Sequence, residues 1–296
     1  MEKSRVLRGM TARGGARVLA VDSLPAVRDL KELHGLSVLP CAVLGRLMSA
    51  AMAMAADLKV ERGRVTLVLE GDGPAGRAVA DAETRGLARG FISTRELPGW
   101  TRGPGKLDLS RAVGKGFLEV IKDLGLREPV RSRVELLSGE IAEDLAYYFA
   151  KSEQIPSACA LGVRFSPEGE VLSSGGILVQ VMPGASEEEI SELERRMRAL
   201  TSPSYSLERA GSLEAFAEEA LGEIRWLGEV RFELSCRCSE EMARSIALSM
   251  PREEIAEHLR RGEEVEVVCS FCERAYRFDP ARLLEEVERL EGEGGR

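Results

Sequence analysis

Histidine and aromatic residues are scarce in this 296-residue chain, which has two His, two Trp, four Tyr and eight Phe. The two histidines, His34 and His258, are too few for a histidine-based catalytic set, and neither lies in a motif that places a serine beside it. His34, next to Leu33 and Leu36, reads as a packing residue; His258, in a charged helix, reads as solvated. Long apolar runs are also lacking. Uncharged stretches such as Leu33 to Gly45, which Pro40 interrupts, fall short of the ~18 residues that suggest a membrane span. The N-terminal M-E-K-S-R-V-L-R-G-M carries charges every few residues and no apolar core, so no secretory signal is read and the cytosol is the expected compartment. In a reducing cytosol, six cysteines point to metal ligands or redox groups rather than to a standing disulfide framework.

A basic surplus is missing as well. The net charge is -8, and residues 1–185, 186–230 and 231–296 carry +3, -6 and -5. Nucleic-acid binding draws most of its affinity from clustered Lys and Arg, so an acidic C-terminal third argues against a nucleic-acid partner.

What the chain does have is a 44% apolar composition, enough for a hydrophobic core over this length. Short apolar runs bounded by turn residues predict strands at Val65–Glu70, Gly86–Ser93, Phe117–Ile121, Ala158–Phe165 and Gly176–Val181. Helices are predicted from Pro40 to about Leu58 and over Glu140–Ser152. From Ser186 the texture turns helical and charged. Ser186 with Glu189 forms a capping box, and Ile190, Leu193, Met197 and Leu200 follow on one face. Leu213, Phe216, Ala220, Leu221 and Ile224 give a second stripe. Isolated helices shorter than about 12–15 residues are marginal in water, so these should stay folded only while docked. The fold class expected is α+β: an N-terminal mixed α/β domain over residues 1–185, a helical linker over 186–230 and a small C-terminal four-cysteine zinc module over 231–296.

That module contains the chemistry. R-F-E-L-S-C-R-C reads as a strand ending in Cys236 and Cys238, and V-E-V-V-C-S-F-C-E-R-A-Y-R-F reads as a strand, a tight knuckle with Cys269 and Cys272, and a second strand. Residues two apart on an extended strand point the same way, so Cys236 and Cys238 can present both sulfurs to one point, and Cys269 and Cys272 can do so from a turn. Four thiolates suit tetrahedral zinc, ahead of an iron–sulfur cluster or a free redox dithiol. Most four-cysteine sites only hold a fold together, and the size of this segment supports that role. A core alone often supplies only ~3–5 kcal/mol at this size, whereas a structural zinc contributes ~10–16 kcal/mol.

The spacing suggests more. Cys269 and Cys272 can close a disulfide across a turn. On a strand the Cα atoms of Cys236 and Cys238 would lie ~6.6 Å apart, near the limit of disulfide geometry, so that strand must give way first. The expected order is therefore a Cys269–Cys272 disulfide, zinc loss and loosening of the module, then a Cys236–Cys238 disulfide.

Other features are blander. G-D-G-P-A-G at 71–76 fits a dinucleotide-loop pattern, but Pro74 and the apolar run ending at Asp81 predict a hairpin instead of the helix such a loop needs. Met48, Met52 and Met54 read as core in preference to an adaptable binding surface. Cys41 and Cys159 are isolated and read as buried small residues.

The cysteine pairs, together with L-E-G-D-G-P at 69–74, R-G-L-A-R at 85–89, Y-Y-F-A-K-S-E-Q-I-P at 147–156 and G-G-I-L-V-Q-V-M-P at 175–183, resemble the redox-regulated heat-shock chaperones of the 33 kDa chaperonin family. The resemblance spans most of the chain. It implies an ATP-independent holdase, not an enzyme, that is inactive while reduced and bound to one zinc ion at Cys236, Cys238, Cys269 and Cys272. It further implies that oxidation and heat unfold the zinc module and linker, and that the oxidised form, a homodimer, captures unfolded or partly folded client proteins. No membrane or nucleic-acid partner is expected. Two other readings are a thiol–disulfide oxidoreductase, opposed by the strand that continues after Cys272 where a helix would be needed, and a zinc ribbon that binds nucleic acid, opposed by the charge.

Overall fold

The computed structural model describes residues 2–103 and 106–294. They divide into two compact units, the first ending at Ser235 and the second beginning at Cys236.

The first unit starts with the hairpin β1 (Ser4–Thr11) and β2 (Ala16–Asp22), then helices α1 (Leu24–His34) and α2 (Val38–Asp57). Strands β3 (Arg64–Gly71), β4 (Arg77–Glu83) and β5 (Leu87–Ile92) form a meander. A small ribbon of β6 (Thr101–Gly103) and β7 (Lys106–Leu107) and the short α3 (Leu109–Val113) precede β8 (Gly116–Asp123) and β9 (Val130–Glu135). Helix α4 (Ala142–Tyr148) runs into a π-helical turn at Phe149–Glu153 and is followed by β10 (Ser157–Phe165) and β11 (Val171–Val181). The unit closes with α5 (Glu187–Ala199), α6 (Pro203–Ala210), α7 (Leu213–Leu221) and β12 (Ile224–Leu234).

Ten strands form one sheet in the order β10-β11-β2-β1-β12-β5-β4-β3-β8-β9. Its pairs are antiparallel except β12 with β5, where only Glu233 with Leu87 and Leu234 with Ala88 are in register. Two half-sheets therefore join at the last residues of β12. Gly86 permits the join: at φ +81°, a Cβ there would lie 2.1 Å from the Arg231 carbonyl oxygen.

Helix α2 fills one side of the sheet. Its alanines favour helix and let strands approach closely, and apolar residues lie on nearly all sides of it, as in a mostly buried helix, with Arg46 paired to Glu140 at 2.8 Å. By length and composition it would pass for a membrane span, but 89% of the relevant window is buried within the protein. It begins two residues before Pro40, which is tolerated because the first turn of a helix leaves its N–H groups unpaired. Met48, Met52 and Met54 are buried in this core, as expected, and buried His34 bonds the Gly90 carbonyl oxygen at 3.1 Å. The stretch 71–76 is the predicted hairpin, between β3 and β4.

The short helices α5, α6 and α7 pack in a second cluster. Leu193, Leu207, Leu213, Phe216, Ala217 and Leu221 cover Leu7, Ala16, Val18, Ala20, Ile177 and Val179. The capping box at the start of α5 is only half formed. Ser186 accepts from the Glu189 N–H at 3.2 Å, but the Glu189 carboxylate turns away to accept from Thr11 Oγ1 at 2.8 Å and the Gly15 N–H at 3.1 Å. It is spent on tying α5 to the β1–β2 turn. The second predicted stripe also divides, since α7 stops at Leu221 and Ile224 opens β12, the central strand paired along β1.

Candidate metal centre

The second unit consists of α8 (Glu240–Leu248), α9 (Arg252–Arg261), the hairpin β13 (Val265–Val268) and β14 (Ala275–Phe278), and α10 (Pro280–Gly294). Ser239 caps α8 by accepting from the Met242 N–H at 3.2 Å. The buried core is small: Ala243, Ala247, Ile255, Val265, Phe278 and Leu283. So few apolar side chains leave a unit of this size short of what independent folding needs.

Cys269 and Cys272 occupy the tip of the β13–β14 hairpin, the predicted knuckle. The Cys269 N–H bonds the Arg274 carbonyl at 3.0 Å, and the N–H groups of Cys272 and Glu273 bond the Cys269 carbonyl at 3.3 and 2.9 Å. Glu273 takes a left-handed conformation, φ 59°, to close the turn. The other pair departs from expectation. β12 ends at Leu234, so Cys236 and Cys238 lie in an irregular segment before α8 and not on a strand. The ladder stops because the register with β5 ends at Leu234. The strand-based reason for delaying a Cys236–Cys238 disulfide therefore does not apply.

All four sulfurs nonetheless converge, lying within 4.8 Å of one another. Cys236 Sγ is 3.6 Å from Cys269 Sγ, and Cys238 Sγ is 3.4 Å from Cys272 Sγ. A tetrahedral site with Zn–S bonds of ~2.3 Å has S···S edges of ~3.8 Å, so this cluster fits a single tetrahedral ion held by sulfur alone. Both of these contacts join one pair to the other, as in a shared site. All four cysteines are half-buried.

Their surroundings separate them electrostatically. A hydrogen bond donated by Tyr276 Oη, at 3.2 Å, holds the Cys238 thiol down at about 7. Burial pushes Cys269 up, against the backbone N–H groups of Phe271 and Cys272, and pushes Cys272 up to about 12. Four crowded thiolates need a cation; a divalent ion would deprotonate the thiols it binds. Burial likewise pushes Cys41 and Cys159, which stand apart from the cluster, up to about 12. Cys41 is buried as expected, whereas Cys159 is only half-buried. His258 is half-buried rather than solvated and does not join the cysteine cluster. Sequence reasoning missed Tyr276, whose spacing on a short strand carries no local signal of a sulfur partner.

The sequence from residue 4 to 279 matches the family model described as Hsp33 protein. Among curated relatives, the 33 kDa chaperonin of Thermoanaerobacter sp. (strain X514) is 39% identical over 272 residues, which cover 90% of this chain and 92% of that protein. The 33 kDa chaperonin of Thermus thermophilus is 40% identical over 301 residues, covering 98% of this chain and 87% of that protein. The crystal structure of the 33 kDa chaperonin (heat shock protein 33 homolog) from Thermotoga maritima superposes with a TM-score of 0.86 at 33% identity, covering 98% of this chain and 99% of that one. An α+β chain with a sulfur cluster in its C-terminal unit, matched over most of its length in sequence and in fold, belongs to the Hsp33 family of chaperones.

Proposed function

We propose that this chaperone is an ATP-independent holdase switched by oxidation, with Cys236, Cys238, Cys269 and Cys272 as both metal ligands and redox groups. The observation that carries the reading is the convergence of four sulfurs on one point in a unit whose buried core, among the described residues, is six side chains. Bound there, one zinc ion per chain would supply a structural cross-link worth ~10–16 kcal/mol, far more than such a core provides. Joining Cys269 and Cys272 in a disulfide removes two ligand sulfurs at once, and a Cys236–Cys238 disulfide removes the rest. The knuckle that already brings Cys269 and Cys272 together within one turn, and the family resemblance, support that order. With the cross-link gone, the small unit should lose its fold.

The domain scheme fits this reading: residues 1–185 as the stable body, 186–230 as linker and 231–296 as switch module. Helices α5 to α7 are short and depend on docking, so they are the part of the linker suited to release. The strand β12 lies between them and the module and crosses the boundary at residue 230, and it must strip from β1 if the whole linker is to unfold. Undocked helices would bare Leu7, Val18, Ala20, Ile177 and Val179, an apolar face suited to unfolded clients. Clients, a homodimer in the oxidised state, a cytoplasmic location and the absence of catalytic turnover, membrane binding and nucleic-acid binding complete the proposal. The test is suppression of client aggregation, followed by light scattering without ATP, for reduced and peroxide-treated protein. Activity should appear only after oxidation and in step with zinc loss; equal activity in both forms would refute the switch. Catalytic insulin reduction would favour an oxidoreductase, and salt-sensitive binding to RNA or DNA a nucleic-acid module.

A further inference from the structure

We propose that Tyr276 is a positioning residue for the metal centre: its phenol, oriented by Arg274, donates a hydrogen bond to Cys238 and keeps that sulfur in the ligand set. The inference rests on the metal-switch reading above and deepens it. Tyr276 lies on β14, with its Oη 3.2 Å from Cys238 Sγ. Arg274, which immediately precedes the strand, interacts through its guanidinium with the phenol oxygen. Arginine can only donate, so the phenol oxygen accepts from it, and the single phenol proton is directed to sulfur.

The two halves of the cluster differ in how they are held. Backbone hydrogen bonds of the knuckle fix Cys269 and Cys272. Cys238 belongs to an irregular segment and is tied to the β13–β14 hairpin through the side chain of Tyr276. Outer partners of this kind orient a ligand and tune its hold on a metal.

The same bond bears on oxidation. With hydrogen peroxide as oxidant, one thiolate sulfur attacks a peroxide oxygen, the O–O bond breaks, and hydroxide leaves behind a sulfenic acid. A second thiolate then displaces hydroxide from that sulfur and forms the S–S bond. Two thiolates and one peroxide thus give one disulfide and two hydroxide ions. A sulfur whose lone pair is engaged by a phenol proton is a weaker nucleophile. In the zinc-loaded protein, where the metal would already hold Cys238 as a thiolate, Tyr276 therefore slows attack at Cys238.

The test uses full-length reduced protein loaded with zinc or with cobalt(II). Tyr276→Phe keeps the ring and removes the donor. Its zinc affinity in chelator competition should fall by roughly tenfold, and zinc release by peroxide should quicken by roughly threefold to tenfold, the kinetic equivalent of one lost hydrogen bond. The sulfur-to-cobalt charge-transfer absorption should move to lower energy, a signature that loss of packing would not produce. Arg274→Met, at an exposed position, should shift all three readouts in the same direction by less. Unchanged affinity and an unchanged cobalt spectrum in Tyr276→Phe would overturn the inference and leave the switch standing. Should Tyr276→Phe fail to fold, an unchanged spectrum and release rate in Arg274→Met would overturn it equally. Failure of the unaltered protein to bind either metal would overturn the switch itself, and this inference with it.

Discussion

Phe216→Ala should make the reduced, zinc-loaded protein partly active. Phe216 is 1% exposed and is the largest side chain that α7 contributes to the cluster between the short helices and the sheet. Removing a buried phenyl ring costs about 3–5 kcal/mol in lost apolar burial and residual cavity. None of the three helices has length enough to compensate, since α5 has 13 residues, α6 has 8 and α7 has 9. Most of that cost should therefore fall on docking and not on the α2 core, which lies across the sheet in a separate cluster. A change of 3–5 kcal/mol raises the undocked population by more than roughly 10²-fold. Hydrogen exchange would report it as lost protection over residues 187–221 while β3, β4 and β8 stay protected. Light scattering of a thermally unfolding client would report its consequence, suppression without any oxidant. If exchange shows the helices released yet the reduced variant protects no client, the sheet face beneath them is not the gripping surface.

Other predictions concern the latch and the thiols. Glu189→Ala should free α5 from the β1–β2 turn at a cost of ~1.5 kcal/mol, because it removes the charged acceptor of two hydrogen bonds. Gly15→Ala should act on the same contact, since a Cβ there would sit 2.1 Å from Glu189 Oε2, so exchange-derived effects of the two changes should fall short of their sum in the double variant. In chelator-treated reduced protein at neutral pH, alkylation followed by mass spectrometry should modify Cys236, Cys238, Cys269 and Cys272 but spare Cys41 and Cys159. Burial in the body keeps Cys41 and Cys159 up at about 12, and so protonated and unreactive, whereas loss of the metal unfolds the C-terminal unit and removes the burial that raises Cys269 and Cys272. Labelling of all six at comparable rates would show that stripping the metal unfolds the body as well.

The legible parts of the fold were those whose signals are local. Strands β3, β5, β8, β10 and β11 alternate or run apolar between turn residues, and each expected strand lies within the observed one except at residues Gly86 and Ser93, which flank β5. Helix α2 announced itself through alanine, although its start was placed at the proline rather than at Val38. Strand β4, R-A-V-A-D-A-E, was read only as the return arm of a hairpin ending at Asp81, because alanine and acidic residues have poor strand propensity; its place between β3 and β5 overrides that preference. Only the end of β12 was read, as a strand expected from Arg231 to Cys238; its start was hidden because long-range pairing with β1 sets its length, and Ile224 continues an apolar spacing that the α7 sequence had begun. The four-cysteine cluster was legible as two short-range motifs. The irregular path of Cys236 and Cys238, the Tyr276 donor and the diversion of Glu189 to Thr11 and Gly15 were not, because each depends on contacts between residues distant in sequence.

The central claim is that sulfur-bound metal holds the C-terminal unit together, and hydrogen exchange on reduced protein before and after zinc is removed by a chelator tests it most directly. The account predicts that amides of β13, β14, α8 and α9 lose their protection when the zinc goes, while those of β3, β4 and β8 keep theirs. Undiminished protection across residues 240–278 in the metal-free protein would contradict it.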